Sequence, residues 1–428
     1  MSSAKKLNGK EKLQKVISTI QGNRYLQSVT SGLASTLAIM VIGAFSSLLG
    51  SMNIGDYQKW IAPIRSYIEL PVNFTTNLVA VYAAFTIGYS LTKSFKLNGM
   101  QGGLTSLLSF MLVTPVANVT ISKNPTTVLP FQWLGAAGLF AAIIVGLISA
   151  RLYVYIVQHN WTLKMPAGVP PMISNSFAAL VPTIIVAILF TIVAIIFSKT
   201  PFGSLHQAVY GLIQTPLTHL GNTLTATMIV IFMMQLLWVL GIHGGMVGIS
   251  IMSPIWTAMT LANLKAFRAG QPRPYIIGGL SSFVMITPML GLVICLLFFV
   301  KSRQLKTVGK LGAPGALFGI HEPLIFGLPI VLNAYLAVPY ILAPLACLLI
   351  SYISVRTGLI PVDMGMQVPF GTPVILDQLL RGSWKYVVLE LALIPVCTLI
   401  YYPFVRAYDK SLLANEKKAV EAEEKNKN

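Results

Sequence analysis

The sequence predicts an all-α polytopic membrane protein of about ten transmembrane helices, with re-entrant hairpins and interfacial amphipathic helices. Three observations carry that expectation. Of the 428 residues 55% are hydrophobic and only 10% charged, against about 25% charged in a typical soluble domain. Apolar stretches of roughly 20 residues, the length that crosses a bilayer core, recur along the chain. The net charge of +18 is spread in short basic runs between those stretches, as membrane orientation requires. No nucleic-acid-binding module accompanies the charge, so nucleic acid is not expected as a partner.

Residues 1–27 form the first element, a cytoplasmic amphipathic segment. It carries Lys5, Lys6, Lys10, Lys12, Lys15 and Arg24, while Leu13, Val16, Ile17 and Ile20 recur at helical spacing, the pattern of an interfacial helix. No short apolar core with a small-residue cleavage site precedes the first long apolar run, so no cleavable signal is expected. Candidate spans follow at about 28–50, 72–92, 99–121, 133–157, 174–198, 223–242, 243–262, 275–300, 331–355 and 386–406. Residues 28–199 make an N-terminal transmembrane part, and residues 223–406 a C-terminal one. Between them, residues 200–222 mix apolar and polar positions interrupted by Pro and Gly, which reads as an interfacial amphipathic linker. Residues 407–428 are a polar tail.

With the N-terminus inside, most of the 30 Lys and Arg fall on the cytoplasmic side, and both termini are expected in the cytoplasm. Residues 243–262 follow the preceding span without a real loop, so crossing and re-entry are both open. From 311 to 330, Gly312, Pro314, Gly315, Gly319, Pro323, Gly327 and Pro329 interrupt an apolar run. A continuous helix is hard to sustain there. Broken backbone at membrane depth survives only where protein covers it or a wet cavity borders it, so a re-entrant hairpin beside a transport path is expected. The three cysteines, Cys295, Cys347 and Cys397, lie inside apolar runs without metal-ligand spacing. Packing is their expected role, and neither a metal nor a cofactor is expected.

Only two of the 12 acidic residues, Glu322 and Glu390, occur inside strongly apolar sequence. Glu390 is near a span end. Glu322 sits in the middle of the expected hairpin, between His321 and Pro323, where an ionised carboxylate needs a partner or water. It is a candidate functional group, with capping of free backbone N–H groups as the structural alternative. His243, in LWVLGIHGGMVG, is followed by two glycines that permit close approach of backbone or ligand; a satisfied core histidine is the alternative. The triplet Gly-Ile-His recurs at 319–321. Ser174, Asn175 and Ser176 open span five, where they could bond the hydroxyls of a polar solute or cap the helix. Asn77, Tyr82, Asn333, Phe370 and Thr372 fall near span ends with hydrogen-bonding or stacking potential.

The segments NLVAVYAAFTIGYSLTKSFKLNGMQGGL, VPPMISNSFAALVP, WVLGIHGGMVG, GIHEPLIFGLPIVLN and VPFGTPVILDQLLRG, in this order, resemble the membrane component (enzyme IIC) of the phosphoenolpyruvate-dependent sugar phosphotransferase system, lactose/cellobiose/diacetylchitobiose family. The likeness runs over nearly the whole chain, and GIHEPLIFGLP is its most specific part. It implies a homodimer in a bacterial inner membrane, an N-terminal dimerisation part and a C-terminal substrate part. The matched positions make His243 and Glu322 the residues that meet the sugar hydroxyl to be phosphorylated, and His321, Asn175, Asn77, Phe370 and Thr372 are the further candidates for binding a disaccharide. The phosphoryl group would come from a phosphocysteine on a separate IIB protein, supplied in turn by IIA and HPr. Two positions depart from the family pattern: His321 stands where Asn, Thr or Tyr is common, and Phe370 where a Trp is common, which removes an indole N–H donor. A proton-coupled sugar symporter is the rival reading, since it would also use a buried Glu and His.

Overall fold

A computed structural model of the chain describes residue 19 and residues 22–51, 56–121, 124–166, 168–241, 243–328, 330, 333–368 and 371–427. Most of the N-terminal amphipathic segment, and Phe370, lie outside the described residues. Seven helices among the described residues are long and apolar enough to cross a membrane: Arg24–Ser47, Tyr57–Ser94, Ala136–Gln158, Ile173–Ser198, Gly244–Arg268, Tyr335–Arg356 and Trp384–Ala414. A bent pair, Leu205–Gly221 with Leu224–Val239, turns by 76°, and Gly99–Val113 and Phe283–Phe299 are shorter apolar helices. Each of the ten expected apolar stretches overlaps one of these helices. Residues 243–262 fall in a helix long enough to cross.

Two local expectations change. The stretch 99–121 is not one helix: it ends at Val113, Thr114 is extended ahead of Pro115, and Ala117–Ile121 pairs antiparallel with Asn124–Val128. Proline disfavours helical backbone in the residue before it, and the β-branched residues beyond suit a strand. The run from 311 is helical to Ala316, with Pro314 inside the helix Arg303–Ala316. The break falls at 317–321, before the short helix Glu322–Gly327.

The chain divides into two compact units, Met1–Gly221 with Ile249–Pro272 and Asn222–Gly248 with Arg273–Asn428. In the first, small residues let helices approach closely. Gly88 faces Ser106, and Gly102 faces Thr92, each so tightly that a side chain would collide. Ser149 donates to Ser106 at 2.9 Å, and the hydroxyls of Thr105 and Thr183 lie 2.8 Å apart. Such packing and inter-helix hydroxyl bonds replace the hydrophobic drive that lipid cannot supply. Phe177, Leu180, Ile184 and Ile188 on the helix Pro171–Ser198 are exposed, as a lipid solvent permits.

The second unit is tied by its last long helix. The Asp409 carboxylate accepts the backbone N–H groups of Lys301 and Ser302 at 2.9 and 2.8 Å. Gly291 packs against Cys397, leaving no room for a side chain. All three cysteines are buried and free, with Cys347 and Cys397 sulfurs 3.2 Å apart.

Replacing Gly102 with Leu should lower the melting temperature of the detergent-solubilised protein, with overpacking worth about 1–3 kcal/mol. Gly211 has open space around it, so Gly211→Ala should leave the melting temperature nearly unchanged. Equal shifts in the two variants would contradict the helix packing.

Candidate functional site

His243 is placed by a sharp reversal. The helix Leu224–Val239 closes with Gly241 in the left-handed region, φ +84°, a conformation that glycine adopts without strain. The next helix begins at Gly244, and the His243 Nδ1 accepts the Met246 N–H at 3.1 Å. The imidazole thus does the work of a helix cap. Its ring packs against Trp238, with centroids 4.1 Å apart. Because Nδ1 accepts, the neutral ring carries its proton on Nε2 and presents that nitrogen as a donor. Gly244 abuts the Met234 carbonyl so closely that no side chain fits. His243 thus caps a helix from a half-buried position.

The hairpin is closed by backbone bonds. Gly315 O accepts from Phe318 and Ile320, each at 2.9 Å, and Gly319 adopts φ +74°. Glu322 is the first residue of the helix Glu322–Gly327, and the preceding His321 carbonyl accepts from Leu324 and Ile325 at 2.9 and 3.0 Å. For Glu322 the structure describes this place in the backbone. The carbonyl of Leu317, in the same turn, accepts the Val374 N–H at 3.0 Å. That single bond joins the hairpin to the segment carrying half-buried Thr372.

Behind this junction lies a buried polar network. The short helix Val374–Leu380 contributes Asp377 and Gln378. Arg381 grips Asp377 with two bonds, Nε to Oδ2 and Nη2 to Oδ1, both at 3.2 Å. Its Nη1 donates to Asp363 Oδ2 and to the Gly279 carbonyl, both at 3.3 Å. All three charged side chains are buried. Burial pushes the Asp363 carboxyl up, while the Arg381 guanidinium and the Gly365 N–H pull it down. Gln378 donates to Glu390 at 3.2 Å, and the Thr287 hydroxyl lies 2.8 and 2.9 Å from the two Glu390 oxygens. Glu390 is wholly buried among these neutral donors.

The expected site residues divide between the units. His243, His321, Glu322 and Thr372 belong to the second, and Asn77 and Asn175 to the first. Asn77 donates to Asn73 at 3.0 Å, and Asn175 is exposed. Asn333 caps the helix Ala334–Arg356, accepting from Tyr335 and Leu336. Tyr82 donates to the Phe74 carbonyl at 2.7 Å. The Asp363, Asp377 and Arg381 cluster is the part that sequence reading missed. Its one local signal was the four-residue spacing of Asp377 and Arg381, which puts both on one helical face. Among the described residues no group of His, Cys, Asp and Glu could hold a metal ion.

A helical multi-pass protein with polar side chains gathered around broken apolar backbone has the make-up of a membrane carrier for a polar solute. Its family is specific: the model for "Phosphotransferase system, EIIC" matches residues 30–344. The chain belongs to that family, the membrane components of the sugar phosphotransferase system. It is 35% identical to the oligo-beta-mannoside-specific EIIC component of Bacillus subtilis (strain 168), over 95% of this chain and 96% of that one. It is 31% identical to the cellobiose-specific EIIC component of Geobacillus stearothermophilus, over 95% and 94%. The crystal structure of ChbC, the IIC component from the N,N'-diacetylchitobiose-specific system, matches with a TM-score of 0.88 and 33% identity, covering 95% of this chain and 98% of ChbC.

Arg381→Met should unfold the second unit more easily, because two buried carboxylates lose their cation, a change worth about 3–5 kcal/mol. Thermal unfolding in detergent reads this. A melting temperature equal to that of the unaltered protein would show that the cluster does not hold the helix Val374–Leu380 in place.

Proposed function

We propose that this chain takes up a β-linked disaccharide and presents one of its hydroxyls to the phosphocysteine of a IIB partner, which is recharged through IIA and HPr. The observation that carries the reading is the family match along most of the chain together with GIHEPLIFGLP, which puts Glu322 at the start of a short helix just past a broken turn. The linkage follows from the relatives named above, whose substrates are oligo-β-mannosides, cellobiose and diacetylchitobiose, all β-linked. His321 and Phe370 are the positions where this chain would differ in preference among such sugars.

In the proposed step the sugar hydroxyl oxygen attacks the phosphorus of the phosphocysteine. The S–P bond breaks, the thiolate leaves, and the hydroxyl proton passes to Glu322. A carboxylate in apolar surroundings is suited to accept it. His243, with Nδ1 occupied by Met246 N–H, holds the sugar as a donor through Nε2. Thr372, His321 and Phe370, of the same unit, complete the binding groups. The product is an anion that the site no longer favours, so chemistry supplies the direction of transport. The protein works as a homodimer in a bacterial inner membrane, with both termini cytoplasmic, an arrangement supported by the basic runs in the sequence.

A proton-coupled symporter is the second reading, and buried Glu390, bonded by the Thr287 hydroxyl and the Gln378 amide, is what favours it. Uptake of labelled cellobiose in cells lacking the general phosphotransferase proteins separates the two. Accumulation of unmodified sugar there would overturn the phosphotransferase reading.

Glu322→Gln should reduce sugar phosphorylation by the partner proteins at least about 100-fold, the lower range for a general base. Sugar-induced thermal stabilisation should persist. Normal phosphorylation in this variant would remove Glu322 from the reaction.

A further inference from the structure

The first unit brings cations together around one aromatic ring, and no carboxylate among its described residues is paired with them. Arg24 opens the helix Arg24–Ser35, with its Cζ 4.7 Å from the centroid of the Phe95 ring. Arg151, on the helix Leu139–Gln158, places its Cζ 5.2 Å from the same ring. Lys93 lies over Tyr89 at 5.6 Å, and Lys93 and Lys96 are exposed in the turn that holds Phe95. Three separate helices thus bring two guanidiniums to one aromatic ring, with two ammonium groups alongside.

Like charges converge only against their own repulsion. A ring face attracts a cation, but it cannot satisfy the N–H groups of two guanidiniums. The Arg151 Nη1 is sheltered from solvent and has no hydrogen-bond partner among the described residues. Among the described residues of this unit the only carboxylates are Asp56 and Glu69, and both are engaged: Asp56 with Lys59 at 2.8 Å, Glu69 with Arg65 at 2.9 Å. What is missing is an acceptor with several oxygens and negative charge.

We propose that Arg24 and Arg151, spaced by Phe95 and flanked by Lys93 and Lys96, bind a phosphate group, and that its source is the headgroup of an anionic phospholipid. Guanidinium forks match phosphate oxygens in pairs, and lysines add charge without a fixed geometry. Arg24, Lys93 and Lys96 are at or just beyond the ends of helices that border apolar spans, and Arg151 lies within the last half of the helix Leu139–Gln158, from where a long guanidinium side chain reaches the depth of headgroup phosphates. Phe95 and exposed Tyr25 beside Arg24 supply the apolar and amphipathic contact that an interfacial ligand needs. The site is separate from the sugar-handling residues and does not depend on how they work.

The test is thermal unfolding of the full chain in nanodiscs of phosphatidylcholine, with and without phosphatidylglycerol, against the double variant Arg24→Gln/Arg151→Gln. Phosphatidylglycerol should raise the melting temperature of the unaltered protein by several degrees, and raised salt should shrink that rise. The variant should melt with the unaltered protein in phosphatidylcholine and lose the rise. Inorganic phosphate added to phosphatidylcholine discs distinguishes the source: no rise supports the lipid, and an equal rise overturns it in favour of free anion. An equal phosphatidylglycerol effect in the variant overturns the site itself. If the variant does not fold, native mass spectrometry of the unaltered protein decides: retained phosphatidylglycerol over phosphatidylcholine supports the site, and equal retention overturns it.

Discussion

Every peptide group in a bilayer core must find its hydrogen bond within the protein, because lipid offers none. The rest of this structure is organised around that demand. Long helices satisfy it internally, and trouble arises only at their ends, where N–H and C=O groups are left over. Side chains meet it there: Asn23, Asn98, Thr223, Ser302 and Asn333 cap successive helices. His243 does the same for Gly244–Arg268, and Asp409 reaches from the last helix to the N–H groups before Arg303. The positions where helices stop are therefore among those where polar side chains are admitted into apolar sequence. Chemistry follows the breaks.

Charge is handled in two ways. In the second unit Arg381 shares one guanidinium between two carboxylates and a carbonyl, so the helix Val374–Leu380 is anchored by directional bonds instead of apolar packing alone. Breaking such a buried set costs far more than forming it gains, which makes it a device for fixing position. The first unit keeps its described carboxylates occupied elsewhere and leaves Arg24 and Arg151 on an aromatic ring. One arrangement is closed on itself. The other, on the proposal made for it, is completed by an anion from outside the chain.

The membrane spans were legible because a run of apolar residues is a local property that survives summation along the chain. All ten stretches became helices in whole or part. What summation hid was the strand pair after Val113: the average over 99–121 stayed apolar, and Pro115 was absorbed into it. Pro314 misled in the opposite direction, since a proline inside a helix is tolerated when neighbours satisfy the freed carbonyl. Glu390 was set aside as lying near a span end, yet its partner Thr287 is 103 residues away, a distance no periodicity can bridge. The same applies to Asp363, whose place beside Arg381 requires Gly279 to have no side chain. Gly-Ile-His at 319–321 and the carboxylate after it stood out because polar residues there contradict their surroundings.

The backbone around the proposed sugar-handling segments is left-handed at Gly319, Gly365, Gly371 and Gly382, each a turn that other residues adopt only with strain. Such turns give short, abrupt reversals, but glycine is also the residue with most freedom to lose. A segment built from them holds a fixed shape only if something else removes that freedom. Here Gly365 N–H is bound to Asp363 at 2.5 Å, Met364 N–H to the Arg381 carbonyl at 3.3 Å, and Val374 N–H to Leu317 O. The ionic cluster and the hairpin thus share one frame, and the turn leading to Glu322 is held at Leu317 by the helix that Arg381 grips. On the proposed reading, the backbone that leads into Glu322 is held at this junction, so the cluster around Arg381 acts on the sugar site through the frame it fixes.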